Sequence, residues 1–534
     1  MTGLPSHLQP PGGVVSAGVR EDVATTVSGP SRIPPPRRLH VDVSSALDLV
    51  GTLTRYLSLA ALIPAAVAVG YREPAHPFLL AGAITFAFGM LLERTTGRKE
   101  RVGAREAFLV VGLTWLVAAG FGALPYLLSG EPQLRNPLNA YFEAMSGFTT
   151  TGATMLTDID ALPRSLLLWR QLTQWLGGMG IIVLALAVLP RLRVGGRQLL
   201  EHELPGPELE SLSSRIRDTA RRLWVLYVGL TVLAALAYGS IGLLGLDDRM
   251  HPFNAVSHAL TTLPTGGFSP EGLGAAAFAP VTQWLIVVFM LVAGTNFALM
   301  YRAFIRRQPA ALARDEEFRL YLGVLGLAAV VIGAALLSEK TAEGEAAVRH
   351  AVFQTVSLMT STGYASTDFA LWPATAAMVL VGLMFIGGSA GSTSGSVKVV
   401  RHLLTGKMLR RELDQTMHPE LVSPIRLNRS PVDERTLRAL QTFVLLYIGV
   451  FIVAAFLLAV DAQRVGLELS GFDAVAAAAT TIGNVGPALG IAGPFGSFEP
   501  FSNASTALMI GLMWLGRLEL IPVVVLFTRS YWIR

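Results

Sequence analysis

The stretch Phe353-Gln354-Thr355-Val356-Ser357-Leu358-Met359-Thr360-Ser361-Thr362-Gly363-Tyr364 decides how this chain is read. An apolar segment near 348–360 runs at once into a polar, glycine-containing loop. A bilayer crossing needs about 20 apolar residues, and a segment of about 10–14 reads as a buried or re-entrant helix. Three further segments, near 138–150, 252–263 and 470–482, share the pattern. The first runs Tyr141-Phe142-Glu143 to Thr149-Thr150-Thr151-Gly152. The second runs Phe253-Asn254-Ala255 to Thr265-Gly266-Gly267-Phe268, and the fourth Phe472-Asp473-Ala474 to Asn484-Val485-Gly486-Pro487. Phenylalanine precedes the loop glycine by ten residues in the first and third copies, and by fourteen in the second and fourth if Gly267 rather than Gly266 is matched. Phe268 after Gly267 parallels Tyr364 after Gly363, which favours Gly267. Glu143, Asn254, Gln354 and Asp473 are expected near helix starts, where a carboxylate or amide suits the free N–H groups.

Outward from these segments the chain is apolar in long blocks. Its 534 residues are 52% hydrophobic and only 15% charged, with a mean hydropathy of +0.52. Soluble domains are about a quarter charged, so an ordinary cytosolic enzyme and a disordered protein are both excluded. About ten spanning helices are expected, over 46–70, 76–93, 106–129, 166–190, 222–246, 280–303, 318–338, 375–410, 438–460 and 504–528. Residues 1–45, with Pro34-Pro35-Pro36 and few large apolar side chains, read as a disordered cytoplasmic tail. Arg37-Arg38 reads as the basic flank of the first helix rather than as an export signal. Zero cysteines exclude disulfides, thiolate metal sites and thiol catalysis. The net charge of +5 is too small to suggest a nucleic-acid partner.

Of the 42 Lys and Arg, 32 fall in the tail, the C-terminus and alternate loops, eight fall on the opposite side, and Arg55 and Arg517 lie inside spans. The positive-inside rule then makes both termini cytoplasmic and puts all four short segments at the outer side. Each short segment sits between two spans, so the unit helix, short helix, glycine loop, helix occurs four times in one orientation. Parallel repeats are related by an axis along the membrane normal. The expected architecture is an all-α polytopic membrane protein with four such repeats around a pseudo-fourfold pore. Its divisions are the tail 1–45, two extra helices over 46–105, and repeats over 106–221, 222–317, 318–437 and 438–534.

Non-helical backbone at membrane depth is tolerated only inside protein or beside water. A ring of carbonyls can replace the hydration shell of a monovalent cation. Small-residue helix contacts are the plainer explanation of one Thr-Gly loop, but not of four at corresponding places.

These motifs resemble the Trk/Ktr/HKT superfamily of potassium transporters, most closely the bacterial TrkH-type subunits. The resemblance runs from about Asp48 to the C-terminus. It rests on Ser146-Gly-Phe-Thr-Thr-Thr-Gly152, Trp169-Arg-Gln-Leu-Thr-Gln-Trp-Leu-Gly-Gly-Met-Gly180, Phe253-Asn-Ala-Val-Ser-His258, Thr360-Ser-Thr-Gly-Tyr364, Gly387-Gly-Ser-Ala-Gly-Ser-Thr-Ser-Gly-Ser-Val-Lys398 and Leu515-Gly-Arg-Leu-Glu-Leu520. It implies a potassium filter built from Thr150, Thr151 and Gly152; Thr265, Gly266 and Gly267; Ser361, Thr362 and Gly363; and Asn484, Val485 and Gly486. Glycine rather than serine at position 152 implies potassium over sodium. The resemblance also implies K+ as the transported ion without an organic cofactor, a homodimer in membrane lipid at the bacterial inner membrane, and a cytosolic nucleotide-binding regulator of the TrkA type. The chain departs from the family pattern at Tyr364-Ala365-Ser366, which lacks a hydroxyl directly after the tyrosine, and at Pro264.

Two features point to a gate. The expected span 375–410 is interrupted by the Gly/Ser run 387–396, poor in helix propensity. A phosphate-binding loop would need lysine directly after its last glycine, whereas Lys398 comes three later. Gly388, Gly391, Ser392, Thr393, Ser394 and Gly395 are the barrier candidates, and the resemblance implies an intramembrane gating loop there. Arg517 lies in the middle of the last span, where a charge costs about 3 kcal/mol unless paired or hydrated. It reads either as an electrostatic barrier or as a tie to loop carbonyls, and Glu519 is not expected to be its partner. His258 is expected to be packed and hydrogen-bonded, and Trp169 and Arg170 to anchor the outer interface. A secondary transporter of another solute, with the broken helix as its substrate site, is the rival reading. A membrane enzyme lacks convergent catalytic groups.

Overall fold

The computed structural model describes residues 41–96, 103–192 and 209–532. The expected tail lies outside the described residues as far as 40, as do the basic stretches within 97–102 and 193–208. In chain order the helices are α1 (Val43–Tyr71), α2 (His76–Thr95), α3 (Arg105–Ser129), the short α4 (Pro137–Phe148), α5 (Arg164–Leu192), α6 (Leu209–Leu243) and the short α7 (Pro252–Thr262). There follow α8 (Pro280–Ala293), α9 (Phe297–Ile305), α10 (Glu316–Ser338), α11 (Gly344–Met359), α12 (Ala374–Leu383) and α13 (Val399–Met417). Then come α14 (Glu434–Val465), α15 (Gly471–Gly483), α16 (Asn503–Arg517) and α17 (Ile521–Leu526), and single helical turns occur at Ala310–Arg314 and Arg529–Trp532. A two-residue antiparallel hairpin, Arg426–Leu427 with Ser430–Pro431, links α13 to α14.

Among the described residues six helices, α1, α2, α3, α6, α10 and α14, are long and apolar enough to cross a bilayer, and the pair α8–α9 makes a seventh. The expected spans over 166–190, 375–410 and 504–528 are α5, α12 with α13, and α16 with α17.

Besides the expected break in 375–410, two further spans are not continuous. The chain bends by 101° between α8 and α9. Asn296 starts the second piece by accepting the N–H groups of Ala298 and Leu299 on its side chain, the usual chemistry of a helix N-terminus. The last span breaks after Arg517, where Glu519 and Leu520 take φ of 57° and 52°. Left-handed backbone at two successive side-chain-bearing residues ends a helix outright.

The two extra helices are bolted onto the first repeat. Gly51 of α1 and Gly89 of α2 cross so closely that a methyl group on Gly89 would lie 2.7 Å from the Gly51 carbonyl oxygen. Small residues permit such approach where lipid supplies no hydrophobic drive between helices. One turn on, Arg55 finds Glu93 at 2.8 Å, so its charge at membrane depth is paired. Glu73, in the α1–α2 turn, accepts the N–H groups of Arg164 and Ser165 at 2.8 and 2.9 Å and so caps α5.

Gly89→Leu is expected to overpack the α1–α2 crossing and cost about 1–3 kcal/mol. Thermal unfolding in detergent should show a lowered midpoint. Gly70→Ala, which meets open space, should leave the midpoint in place.

Candidate functional site

The four short helices end alike. At the second residue before each loop glycine, the backbone turns left-handed without a glycine: Thr150 at φ 51°, Thr265 at 55°, Ser361 at 55° and Asn484 at 53°. The following N–H returns to the helix each time, Thr151 to Ser146 O, Gly266 to Thr261 O, Thr362 to Ser357 O and Val485 to Thr480 O, all within 2.8–2.9 Å. This is the bond pattern of a left-handed helix C-cap, usually built on glycine. A β-carbon there costs about 1–2 kcal/mol, so four hydroxyl or amide side chains are kept against local preference.

The glycines come next, Gly152, Gly267, Gly363 and Gly486, at φ of 84°, 79°, 81° and 113°. Their contacts close a ring. A β-carbon on Gly152 would fall well inside van der Waals distance of Gly266 O, one on Gly267 would strike Thr362 O, one on Gly363 would strike Val485 O, and one on Gly486 would lie 2.7 Å from Thr151 O. Each loop leans on the next in chain order, and the fourth leans on the first. Gly267, not Gly266, is thus the matching glycine. A cup of about 540 Å³ opens on one side of the ring and is lined by all four glycines.

The common register lies at the C-terminal ends of the short helices, and the phenylalanines do not share it. Phe142 and Phe353 are fully buried in mid-helix, whereas Phe253 and Phe472 stand at the second residue of α7 and α15. Counting back nine residues from each glycine gives Glu143, His258, Gln354 and Ala477. The three polar ones hold the far limb of their own loop. Glu143 accepts the Met155 N–H at 2.9 Å and the Thr154 hydroxyl at 3.0 Å. His258 meets Ser269 Oγ at 3.2 Å and Asn254 O at 2.8 Å, a packed and hydrogen-bonded histidine. Gln354, with its amide turned to suit both partners, accepts Ser366 N–H at 2.7 Å and donates to Tyr364 O at 3.2 Å. Only Asn254 and Asp473 lie near helix starts as expected, and Asp473 forms a capping box with Ser470.

Arg170 is not an interface anchor. It is buried and pairs with Glu143 at 2.8 Å, donates to Ser269 O at 3.3 Å and stacks 4.1 Å from the Phe268 ring, tying loop one to loop two. Trp169 is buried beside it and donates to Gly122 O. Tyr364 ties loop three to α7 through the hydroxyls of Thr261 and Thr262. Asn484 donates to Thr151 Oγ at 3.0 Å, tying loop four to loop one. Gln174 of α5 holds loop two from behind, with Nε2 on Gly266 O at 2.6 Å and Oε1 on the Phe268 N–H at 3.1 Å.

On the side of the ring away from the cup lies the Gly/Ser strap, whose break runs from Met384 to Lys398. Gly395 N–H donates to Ser361 Oγ at 2.7 Å, and Thr393 Oγ lies 3.4 Å from Thr265 Oγ and 3.0 Å from Leu263 O. The strap therefore sits directly against the left-handed residues under the ring. Ser396 Oγ reaches Gly483 O at 3.1 Å. Gly388 and Gly391 pack into the α8–α9 bend: a β-carbon on Gly388 would lie 2.8 Å from Gly294 O, Gly391 lies beside the Asn296 amide, and Gly391 O accepts the Phe297 N–H at 3.2 Å. Ser392 closes a turn within the strap on Ser389 O, and Ser394 Oγ is buried without a hydrogen-bond partner.

Arg517, also buried, donates to Thr393 O at 2.9 Å and to Gly177 O at 3.3 Å. It thus ties the strap carbonyl of Thr393 to the α5 carbonyl of Gly177. Glu519 is indeed no partner to it, pairing instead with Lys398 at 3.3 Å and with Arg401. Glu317, at the start of α10, accepts the Ala390 N–H at 2.6 Å. Sequence reasoning missed Gln174, Glu317 and the seat of the strap in the α8–α9 bend. Gly294-Thr295-Asn296, a helix stop and an N-cap inside an apolar run, was the available signal for the bend.

Residues 75–532 match the TrkH family model, described as a cation transport protein. The Trk system potassium uptake protein TrkH of Escherichia coli (strain K12) is 38% identical over 490 residues, covering 91% of this chain and 98% of that protein. The protein of the same name from Vibrio parahaemolyticus is 37% identical over 496 residues, 91% of this chain and 99% of its own. The crystal structure of the potassium transporter TrkH from Vibrio parahaemolyticus shares the fold with a TM-score of 0.82 and 34% identity, over 92% of this chain and 99% of that one.

Breaking a buried ion pair by removing one partner costs about 3–5 kcal/mol. Glu143→Ala is expected to lower the unfolding midpoint sharply. Glu143→Ala combined with Arg170→Leu should recover part of that loss, because no unpaired charge remains. Equal destabilisation by the single and double variants would show that the pair is not the operative contact.

Proposed function

The chain belongs to the TrkH family of cation transport proteins, and on that premise we propose that it takes potassium up across the cell membrane, the activity named for its relatives. The observation that carries this reading is the closed ring of four glycine loops, each leaning on the carbonyl of the next. A dehydrated monovalent cation needs several oxygens at once, and a ring of backbone carbonyls supplies them without a fixed charge that would trap it. The reading assigns the filter to Thr150, Thr151, Gly152, Thr265, Gly266, Gly267, Ser361, Thr362, Gly363, Asn484, Val485 and Gly486. Glycine is required at the ring because the backbone is left-handed there and a side chain would meet the neighbouring carbonyl.

The strap of Gly388, Gly391, Ser392, Thr393, Ser394 and Gly395 closes the path below the ring. Arg517 latches it at Thr393 O and adds a positive charge in the ion's way. Ions enter at the cup, lose water at the ring and pass when the strap lifts, driven by their electrochemical gradient. On the positive-inside rule both termini are cytoplasmic and the cup faces outside. A homodimer at the bacterial inner membrane and a TrkA-type nucleotide-binding regulator complete the reading, in keeping with the Trk system naming of the relatives.

Rubidium uptake into vesicles containing the purified protein tests this. Wild type should take up rubidium, and Gly363→Ser should abolish uptake or shift it towards sodium. Uptake indifferent to that change would overturn the reading. Arg517→Ala removes two charge-assisted hydrogen bonds, together worth about 3 kcal/mol or more. It should raise rubidium flux on the order of 100-fold in the absence of any regulator.

A further inference from the structure

Copy two of the loop is the odd one. Where the other loops carry Thr151, Thr362 and Val485 directly before the ring glycine, it carries a second glycine, Gly266. The reason lies in α5. A β-carbon on Gly266 would run into the side-chain amide of Gln174. That amide, fully buried, donates from Nε2 to Gly266 O at 2.6 Å and accepts the Phe268 N–H on Oε1 at 3.1 Å. Loop two gives up a side chain, and the helix behind it supplies a clamp across both peptides that flank Gly267.

No such clamp occurs at the matching place of the fourth repeat. Gly177 of α5 lies against Phe148 O, and Gly516 of α16 against Ile482 O. Phe148 and Ile482 each precede their ring glycine by four residues. Three residues before those packing glycines stand Gln174 and Met513. Methionine has no amide to offer, and there only the backbone oxygen of Met513 is used, accepting Asn484 Nδ2 at 2.9 Å.

Gly266 O is one of the four carbonyls on which the ring closes, the one that abuts Gly152. Two successive glycines leave that peptide freer to rotate than any other in the ring. We propose that Gln174 is a positioning residue that sets ion selectivity: it fixes the Gly266 carbonyl and holds the ring at one size. The proposal rests on the reading of the ring as the ion path. Without the amide donor the Gly266–Gly267 peptide turns, the ring adapts to a smaller ion, and sodium is admitted.

The test compares rubidium uptake, with and without competing sodium, for the full-length wild type, Gln174→Met and Gln174→Leu in vesicles. Gln174→Met copies the fourth repeat and removes both arms of the clamp. Gln174→Leu also removes both arms, with a branched apolar side chain in place of the amide. One hydrogen bond of this kind is worth a change of about tenfold. Both variants are expected to keep rubidium uptake above that of Gly363→Ser while preference over sodium falls about tenfold, a split that mere loss of packing would not produce. Wild-type preference in either variant overturns the proposal. If Gln174→Met fails to fold, Gln174→Leu decides alone. Gly363→Ser is run alongside. If that change leaves rubidium uptake untouched, the reading of the ring has failed. If it abolishes uptake while the Gln174 variants keep wild-type preference, only the role of Gln174 has failed.

Discussion

The whole centre of this molecule depends on one steric constraint, the contact of four Cα atoms with four carbonyl oxygens in a closed cycle. No side chain fits at any of the four positions. Once that contact is required, much else is forced. The short helices must stop two residues early in a left-handed turn, and three of the loops are held from behind because the ring itself offers only backbone. Glu143 holds loop one, His258 and Gln174 hold loop two and Gln354 holds loop three, and all four are buried, where a polar group needs a partner. The long helices serve as the wall that keeps those partners dry.

Much of this was legible in the sequence, for a physical reason. The bilayer sets the length of an apolar block, glycine marks left-handed backbone, and a charge inside an apolar run stands out. The spans, the four loops, the broken strap and Arg517 were all visible on those grounds. The register of the repeats was legible only in part. Phenylalanine caught the eye as a common start, yet Phe253 and Phe472 sit a turn or more from where Phe142 and Phe353 sit. What repeats is the way the helices end, and a C-cap made of Thr, Thr, Ser and Asn has no single-letter signature.

The partners of the site were mostly illegible. Gln174 sits in a run of polar and aromatic residues that suits a helix at the membrane surface as well as one behind a pore. Glu317 looks like an ordinary acid in the first turn of a helix. Arg170 looked like an anchor because its partner, Glu143, lies 27 residues away. Such pairings are made by tertiary approach, and one chain read alone carries no record of them.

All four loops of the ring belong to a single polypeptide, and that has a consequence for how the ring can change. In a pore assembled from four identical chains, one altered codon appears four times, so any adjustment arrives at full dosage. Here the same alteration touches one quadrant and leaves three as they were. The second loop could exchange a side chain for a glycine and a helix amide without asking the same of its neighbours. Covalent continuity thus turns an all-or-none part into one that admits quarter steps.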